Sequence, residues 1–480
     1  MNLESRQSAA LVRLNLTKRA GGMCNYLVFA LLVLLFCMGS KSAVGADVNT
    51  APDPLAESDT VGEVSGGEQP DAVEEIEDVE DMPVAAVSGG FLVQSPSGKR
   101  GLTEWTRYEG PLMTLNLGLM AIADYNTFDQ DAASVAQVGD IPSESELRAG
   151  RLMLRGKLGR SRNWSYFYAG EYNGLSREPD DSTFRTTDLA FTRSVGRLGD
   201  LTIGKTKEPI HLARIMPGDG VLLMERATMD GLVPNRGTGV KLDNFAFDRR
   251  LTWSVGWFND WLFTDENFDE SDNIFTGRIT GLPVYADGGR RLIHLGLGLR
   301  YAEAENDTFR FREPPEANTA PRYLDTGEFP AKKSRTMNVE FGTINGGLSF
   351  QGEYLKTKVT SADAGDPEFT GWYLATSLIL TGESRSYLQR GGFFFKVAPD
   401  RPLGGAGGGH GAWELTFRVS NTDMNDGAIA GGEFDRWSVG TNWYPTERWR
   451  LEFNYGQGTL DRFGSSGDTE FLQFRLQWLM

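Results

Sequence analysis

The last ten residues constrain this chain most. In Phe471-Leu472-Gln473-Phe474-Arg475-Leu476-Gln477-Trp478-Leu479-Met480 the even positions are all apolar, and Gln473, Arg475 and Gln477 occupy odd ones. A period of two describes an extended strand with one oily face and one wet face. About 9–11 residues is the length of a tilted strand crossing a bilayer. A lipid-facing side and a water-facing side on one strand are the arrangement of a transmembrane β-barrel. The same decade also suits the edge strand of a soluble sandwich, so the remainder of the chain has to discriminate. A terminal aromatic would strengthen the barrel reading, but position 480 holds Met480.

The chain has 480 residues, and helical periodicity is scarce beyond the N-terminus. Its 58 glycines and 11% aromatic content suit a β-rich chain with many turns. A mean hydropathy of −0.34 argues against a bundle of apolar spanning helices, whereas alternating strands average out. Both cysteines, Cys24 and Cys37, lie in the first 46 residues, so the expected mature chain has neither a disulfide framework nor a thiolate metal site. His211, His294 and His410 are too scattered for a zinc cluster, and no cofactor is expected.

Residues 1–46 read as a secretory signal: Arg13, Lys18 and Arg19 precede an apolar run from Tyr26 to Met38, and Val44-Gly45-Ala46 offers small residues for cleavage. Acylation of Cys37 is the alternative, opposed by the bulky Phe36 before it. Residues 47–104 form a second segment. Thirteen acids fall between Asp47 and Asp81 with no Lys or Arg, and the composition predicts disorder. The formal charge of −17 is concentrated there, and the chain lacks the basic surface that nucleic-acid binding needs.

Residues 105–480 are expected to form the barrel domain. Sixteen alternating segments follow one another: 112–125, 147–158, 164–172, 186–195, 201–207, 237–247, 251–259, 274–285, 292–302, 335–341, 348–356, 371–380, 412–420, 436–444, 449–456 and 471–480. With both ends of the barrel on the periplasmic side, short turns follow even strands and long loops follow odd ones. The connections near 160, 196, 248, 287, 345 and 446 are short, and those at 126–146, 173–185, 208–236, 260–273, 303–334, 357–370, 421–435 and 457–468 fall on the loop side. The stretch 381–411 falls on the turn side yet is long. It is either a periplasmic excursion or it conceals a strand. The expectation is an all-β fold, a 16-stranded antiparallel transmembrane β-barrel preceded by a disordered acidic N-terminal segment.

Several short motifs add to this. Ile203-Gly204-Lys205-Thr206-Lys207-Glu208-Pro209, Leu222-Leu223-Met224-Glu225-Arg226-Ala227, Asn235-Arg236-Gly237-Thr238-Gly239-Val240, Leu380-Thr381-Gly382-Glu383 and Gly440-Thr441-Asn442-Trp443-Tyr444-Pro445 occur in this order. Together they resemble the phosphate-selective porin O and P family over roughly residues 110–480. The resemblance implies a sixteen-stranded outer-membrane barrel, often a homotrimer, that lets anions diffuse through. The family's dense array of pore arginines and lysines is not obvious here.

Loop 208–236 follows the fifth strand, the place where porins narrow the channel. It carries His211, Arg214, Asp219, Glu225, Arg226, Asp230 and Arg236. Opposed charges there would set a transverse field that sorts solutes. For Glu225 and Arg226 the other reading is pinning of the loop to the wall; for Arg214 pore lining is favoured. Strand parity places Arg151, Arg155, Lys157, Lys241, Arg278, Arg300, Arg418, Arg450 and Arg475 on the lumen face, together with Glu171, Asp188, Asp243, Glu340, Glu353, Glu414 and Glu452. Arg151, Arg155 and Lys157 form a short basic ladder that substitutes for an anion's hydration. No G-x-S-x-G, Walker or H-E-x-x-H motif is present, so an enzyme is not expected. The reading is a channel for passive diffusion of small solutes with weak anion preference, set in outer-membrane lipid. The alternative is a structural barrel tied to the cell wall through its acidic segment.

Overall fold

The computed structural model describes residues 106–172, 184–259, 271–405 and 407–480. The proposed signal and the whole of the proposed acidic segment lie outside them. Sixteen long strands close a single antiparallel barrel: β1 Thr114–Gln130, β2 Glu144–Leu158, β3 Trp164–Tyr172, β4 Phe184–Ser194, β5 Asp200–Thr206, β6 Gly237–Ala246, β7 Leu251–Phe258, β8 Ser271–Ala286, β9 Arg291–Ala304, β10 Lys333–Asn345, β11 Leu348–Thr360, β12 Glu368–Ile379, β13 Ala412–Asp426, β14 Ile429–Thr446, β15 Trp449–Arg462 and β16 Ser465–Leu479. All sixteen expected strands are present. The ring closes where β16 pairs with β1, from Met120 opposite Leu479 to Gln130 opposite Thr469. Closure leaves no long unpaired edge, which lipid requires. A three-residue strand, Arg107–Glu109, pairs with the start of β1.

The outer face is apolar because the odd or even set of each strand is. On β9 and β10, Leu295, Leu297, Leu299, Met337, Val339 and Phe341 are exposed, while their neighbours His294, Arg300, Asn338 and Glu340 are buried inside. Trp413 stacks on Trp443 with ring centroids 5.4 Å apart, and Trp449 lies 6.4 Å from Trp478, near the short-turn end. Tryptophan there suits the lipid–water boundary. Among the described residues no helix is long and apolar enough to cross a membrane.

The long connection 380–411 adds no stave. It is the excursion, turning back into the barrel with one small hairpin, Tyr387–Leu388 against Phe393–Phe394. Two segments also enter from the opposite end. One, 207–236, contains the short helix α1, Leu212–Ile215. The other, 305–332, folds back on itself through two nested strand pairs, Thr308–Phe309 with Phe329–Pro330 and, inside them, Arg312–Glu313 with Leu324–Asp325.

Their apolar side chains form two clusters inside the wall. In one, Leu212, Ile215, Met216, Leu388, Phe393, Phe394 and Phe395 pack with Met120, Ile122, Met153 and Phe167. In the other, Leu223, Met229, Leu232, Phe309, Phe311, Tyr323 and Phe329 pack with Leu355, Val359, Phe369, Phe434 and Phe471. The interior is therefore not uniformly wet. Each buried Leu, Met or Phe side chain contributes roughly 1.5–3 kcal/mol to holding these segments in place.

Candidate functional site

Segment 207–236 spans the bore because both of its ends are fixed and its middle bonds to the far wall. At the near side, Arg236 makes a two-pronged contact with Asp188 on β4, at 3.1 and 3.0 Å. Glu208 accepts from Arg300 on β9 at 2.9 Å. On the far side, Glu353 of β11 accepts the backbone N–H groups of Leu212 and Ala213, both at 2.8 Å. That carboxylate satisfies two donors at the start of α1 that have no partner within the helix. Arg450 on β15 donates to the Val221 carbonyl at 2.8 Å, and Asn442 on β14 to that of Leu222 at 2.9 Å. At Gly298 on β9, a Cβ would stand 1.7 Å from the Ile210 carbonyl oxygen, so the loop rests on bare backbone.

Glu225 is the most tightly held carboxylate of this segment. Arg148 on β2 donates to it at 2.9 and 3.3 Å, and Arg475 on β16 at 2.6 Å. Arg475 also makes a two-pronged pair with Asp124 on β1, at 2.7 and 2.6 Å. Burial alone would raise the Glu225 pKa, but Arg148 and Arg475 outweigh it and hold the carboxyl down at about 2. Arg226 turns back onto the loop, donating to the carbonyls of Ala213 at 2.6 Å and Met216 at 2.8 Å. Burial brings its pKa down to about 10, with Asp230 pulling the other way. Both residues thus carry pinning contacts while their side chains keep about a fifth of their surface exposed.

Arg214 corrects the expectation of pore lining. It is buried, and its guanidinium donates to the carbonyls of Asp230 at 2.6 Å and Val233 at 3.1 Å. Loop carbonyls left without strand partners claim it first. His211, fully buried, lies 3.5 Å from Asp230 and 3.4 Å from Glu353. Asp219 is buried too, and burial raises its carboxyl pKa.

The wall residues separate into two groups. Lys241, Arg278, Arg300, Arg418, Arg450 and Arg475 are all buried. Lys241 pairs with Asp243 at 3.2 Å and Arg450 with Glu452 at 3.0 Å. Arg278 pairs with Glu340 at 2.8 and 2.7 Å and donates to the Gly391 and Gly392 carbonyls at 3.2 and 2.7 Å, tying the inward turn to β8. Arg418 holds Glu316 of segment 305–332 and the Glu225 carbonyl. Arg155 and Lys157 on β2 are half-buried, while the Arg151 side chain keeps 12% of its surface exposed. Arg151 pairs with Glu171.

Parity misses Arg148. A register shift lies between Ile122–Ala149 and Ala123–Leu147, so the extra residue on β2 reverses the facing of what precedes it. Leu147 goes outward, exposed, and Arg148 goes inward to Glu225. Arg385 is also outside the expected set. It donates from the inward turn to Gln351 at 2.5 Å and to the Gly220 carbonyl, joining the two segments that enter from opposite ends. The Gly-rich spacing of 381–411 contained no signal for that contact.

The chain is 28% identical to an uncharacterized protein of Caulobacter vibrioides over 334 residues, covering 65% of this chain and 62% of that protein. It is 25% identical to Porin O of Pseudomonas aeruginosa over 248 residues, covering 45% and 55% respectively. It thus spans between 55% and 62% of the length of these relatives. Among solved structures, an anion-selective porin from Comamonas acidovorans aligns with a TM-score of 0.45 at 14% identity, covering 76% of this chain and 100% of the other. The outer membrane channel DcaP of Acinetobacter baumannii aligns at 0.48 and 10% identity, covering 77% and 97%. The sequence pattern of the phosphate-selective porin O and P family matches residues 115–479, the whole ring from within β1 to the end of β16. With that span and the closed barrel of sixteen staves, the chain belongs to the phosphate-selective porin O and P family.

Proposed function

We propose that this chain is an outer-membrane channel for passive diffusion of small solutes, with a weak preference for anions. The observation that carries this reading is the difference between β2 and the rest of the wall. Six of the nine wall cations expected in the lumen are buried in pairs or on loop carbonyls, whereas Arg155 and Lys157 are half-buried and Arg151, although paired with Glu171, keeps 12% of its side chain exposed. With Arg148 above them, four cations occupy one strand across nine residue steps, about 30 Å at ~3.3 Å per residue. Cations along such a path replace part of an anion's hydration shell without binding it so tightly that it cannot leave.

Single-channel recording in planar bilayers tests this. Discrete conductance steps with a reversal potential displaced toward chloride in a potassium chloride gradient are expected. Silence from folded protein, or a cation-selective reversal, overturns the reading; silence would favour the structural barrel, whose lumen segments serve only to stiffen it. Assembly as a homotrimer is part of the same proposal and is tested by the mass of the detergent-solubilised protein.

A further inference from the structure

Outside the bore, on the loop side of the wall, four cations face lipid. On β10 the outward set that contains Met337, Val339 and Phe341 continues into Lys333 and Arg335, and on β11 the set that contains Tyr354 continues into Lys356 and Lys358. Arg335 stands directly opposite Lys358, and Met337 opposite Lys356. The two outer strands contribute one carboxylate each: Glu303 opposite Lys333, and Glu368 opposite Lys358. Glu368 contacts Lys356 at 2.5 Å and Lys358 at 3.2 Å, yet these lysine side chains remain 40% and 54% exposed. Arg335 has no ion pair within 4.0 Å among the described residues.

This arrangement is unfavourable by itself, because like charges directly opposite on neighbouring strands repel. Elsewhere among the described strands the outward positions at this height are acidic or neutral, as with Asp435, Asp461 and Glu470. Four cations against two carboxylates leave two positive charges, which is close to the charge of one phosphate monoester at neutral pH, about −1.5 to −2. The cluster begins where the apolar band ends, at headgroup height, and below it Leu297, Leu299, Val339 and Tyr354 offer a surface for acyl chains.

We propose that β9–β12 form an external binding site for a phosphorylated glycolipid of the outer leaflet. Lys333, Arg335, Lys356 and Lys358 hold the phosphate, and Glu368 fixes the directions of Lys356 and Lys358. The site is independent of conduction, since none of these side chains faces the lumen.

Native mass spectrometry of the detergent-solubilised full chain, titrated with bisphosphorylated lipid A, tests the proposal. Retained lipid is expected, with retention at least about tenfold weaker when Lys333, Arg335, Lys356 and Lys358 are all changed to Gln. Arg335→Gln alone leaves the lysine–glutamate pairs intact and is expected to weaken binding severalfold, so the reading survives a misfolded quadruple variant. Lipid A stripped of phosphate should be retained no better by wild type than by the variants. Equal retention by wild type and Arg335→Gln, or by phosphorylated and dephosphorylated lipid, overturns the site. Retention of inorganic phosphate by the cluster with no retention of lipid A assigns it to the free ion and overturns the glycolipid. Bilayer conductance of Arg335→Gln should match wild type in either case, separating this result from the channel reading.

Discussion

Arg475 on the last strand reaches Glu225 in the lumen segment at 2.6 Å through the same Nη2 that, together with Nε, grips Asp124 on the first strand. One guanidinium therefore joins the seam at which the barrel closes to the segment that crosses its bore. Arg148 completes the grip from β2. The two staves carrying Asp124 and Arg475 and the segment carrying Glu225 hold their positions through the same three groups.

Removing one partner leaves the others charged and desolvated. Arg475→Ala is expected to cost about 3 kcal/mol, the scale for breaking a buried pair. The lower thermal unfolding temperature checks it. Glu225→Gln should detach the middle of the segment and raise single-channel noise more than it lowers stability. A quiet Glu225→Gln channel would contradict the pinning role.

Acid should act through the same carboxyl. The Glu225 pKa is held at about 2, below the unfolded value near 4.3 for glutamate. Its contribution is therefore complete above the unfolded value and is lost as pH falls through about 2. Channel noise should stay flat down to pH 4 and rise only in stronger acid.

Alkali should act on a different residue. Glu313, in segment 305–332, has its pKa pushed up to about 8 by burial, with Arg322 offsetting part of this. A carboxyl with a raised folded pKa favours the folded state below the unfolded value, and that contribution is lost as pH rises through about 8. Above this, a charge appears beside Asp230 and Glu225. Hydrogen exchange in 305–332, corrected for its intrinsic rise with pH, is expected to quicken as pH rises to about 8 and level off above it in wild type, and to show no such trend in Glu313→Gln.

The β2 ladder is expected to set ion preference. Changing Arg151, Arg155 and Lys157 to Gln should move the reversal potential in a salt gradient toward zero. Lys241→Gln, at a buried paired cation, should leave it unchanged. Equal shifts from both would remove the special place of β2.

Gly298→Ala tests how the segment rests on the wall. The added methyl would meet the Ile210 carbonyl at 1.7 Å, and backbone on both sides leaves no flexible group to yield. Displacement of the segment is expected, seen as an altered single-channel conductance with the barrel still folded.

Much of this molecule is written locally. Alternation placed all sixteen staves and the lumen side of Arg278, Arg300, Arg418, Arg450 and Arg475, because side-chain facing in a strand depends only on position along it. The position of loop 208–236 after the fifth strand, where porins narrow the channel, marked the lumen segment. Three things were decided only by the closed barrel. Arg148 entered the lumen through a one-residue register shift that alternation cannot signal. Arg214 was claimed by carbonyls of its own loop rather than by the passage. Arg278, Arg385 and Arg418 became ties to inward segments, since their partners lie 34 to 193 residues away along the chain. Facing is a property of one strand, whereas pairing depends on which segments closure brings together, and periodicity holds no record of that.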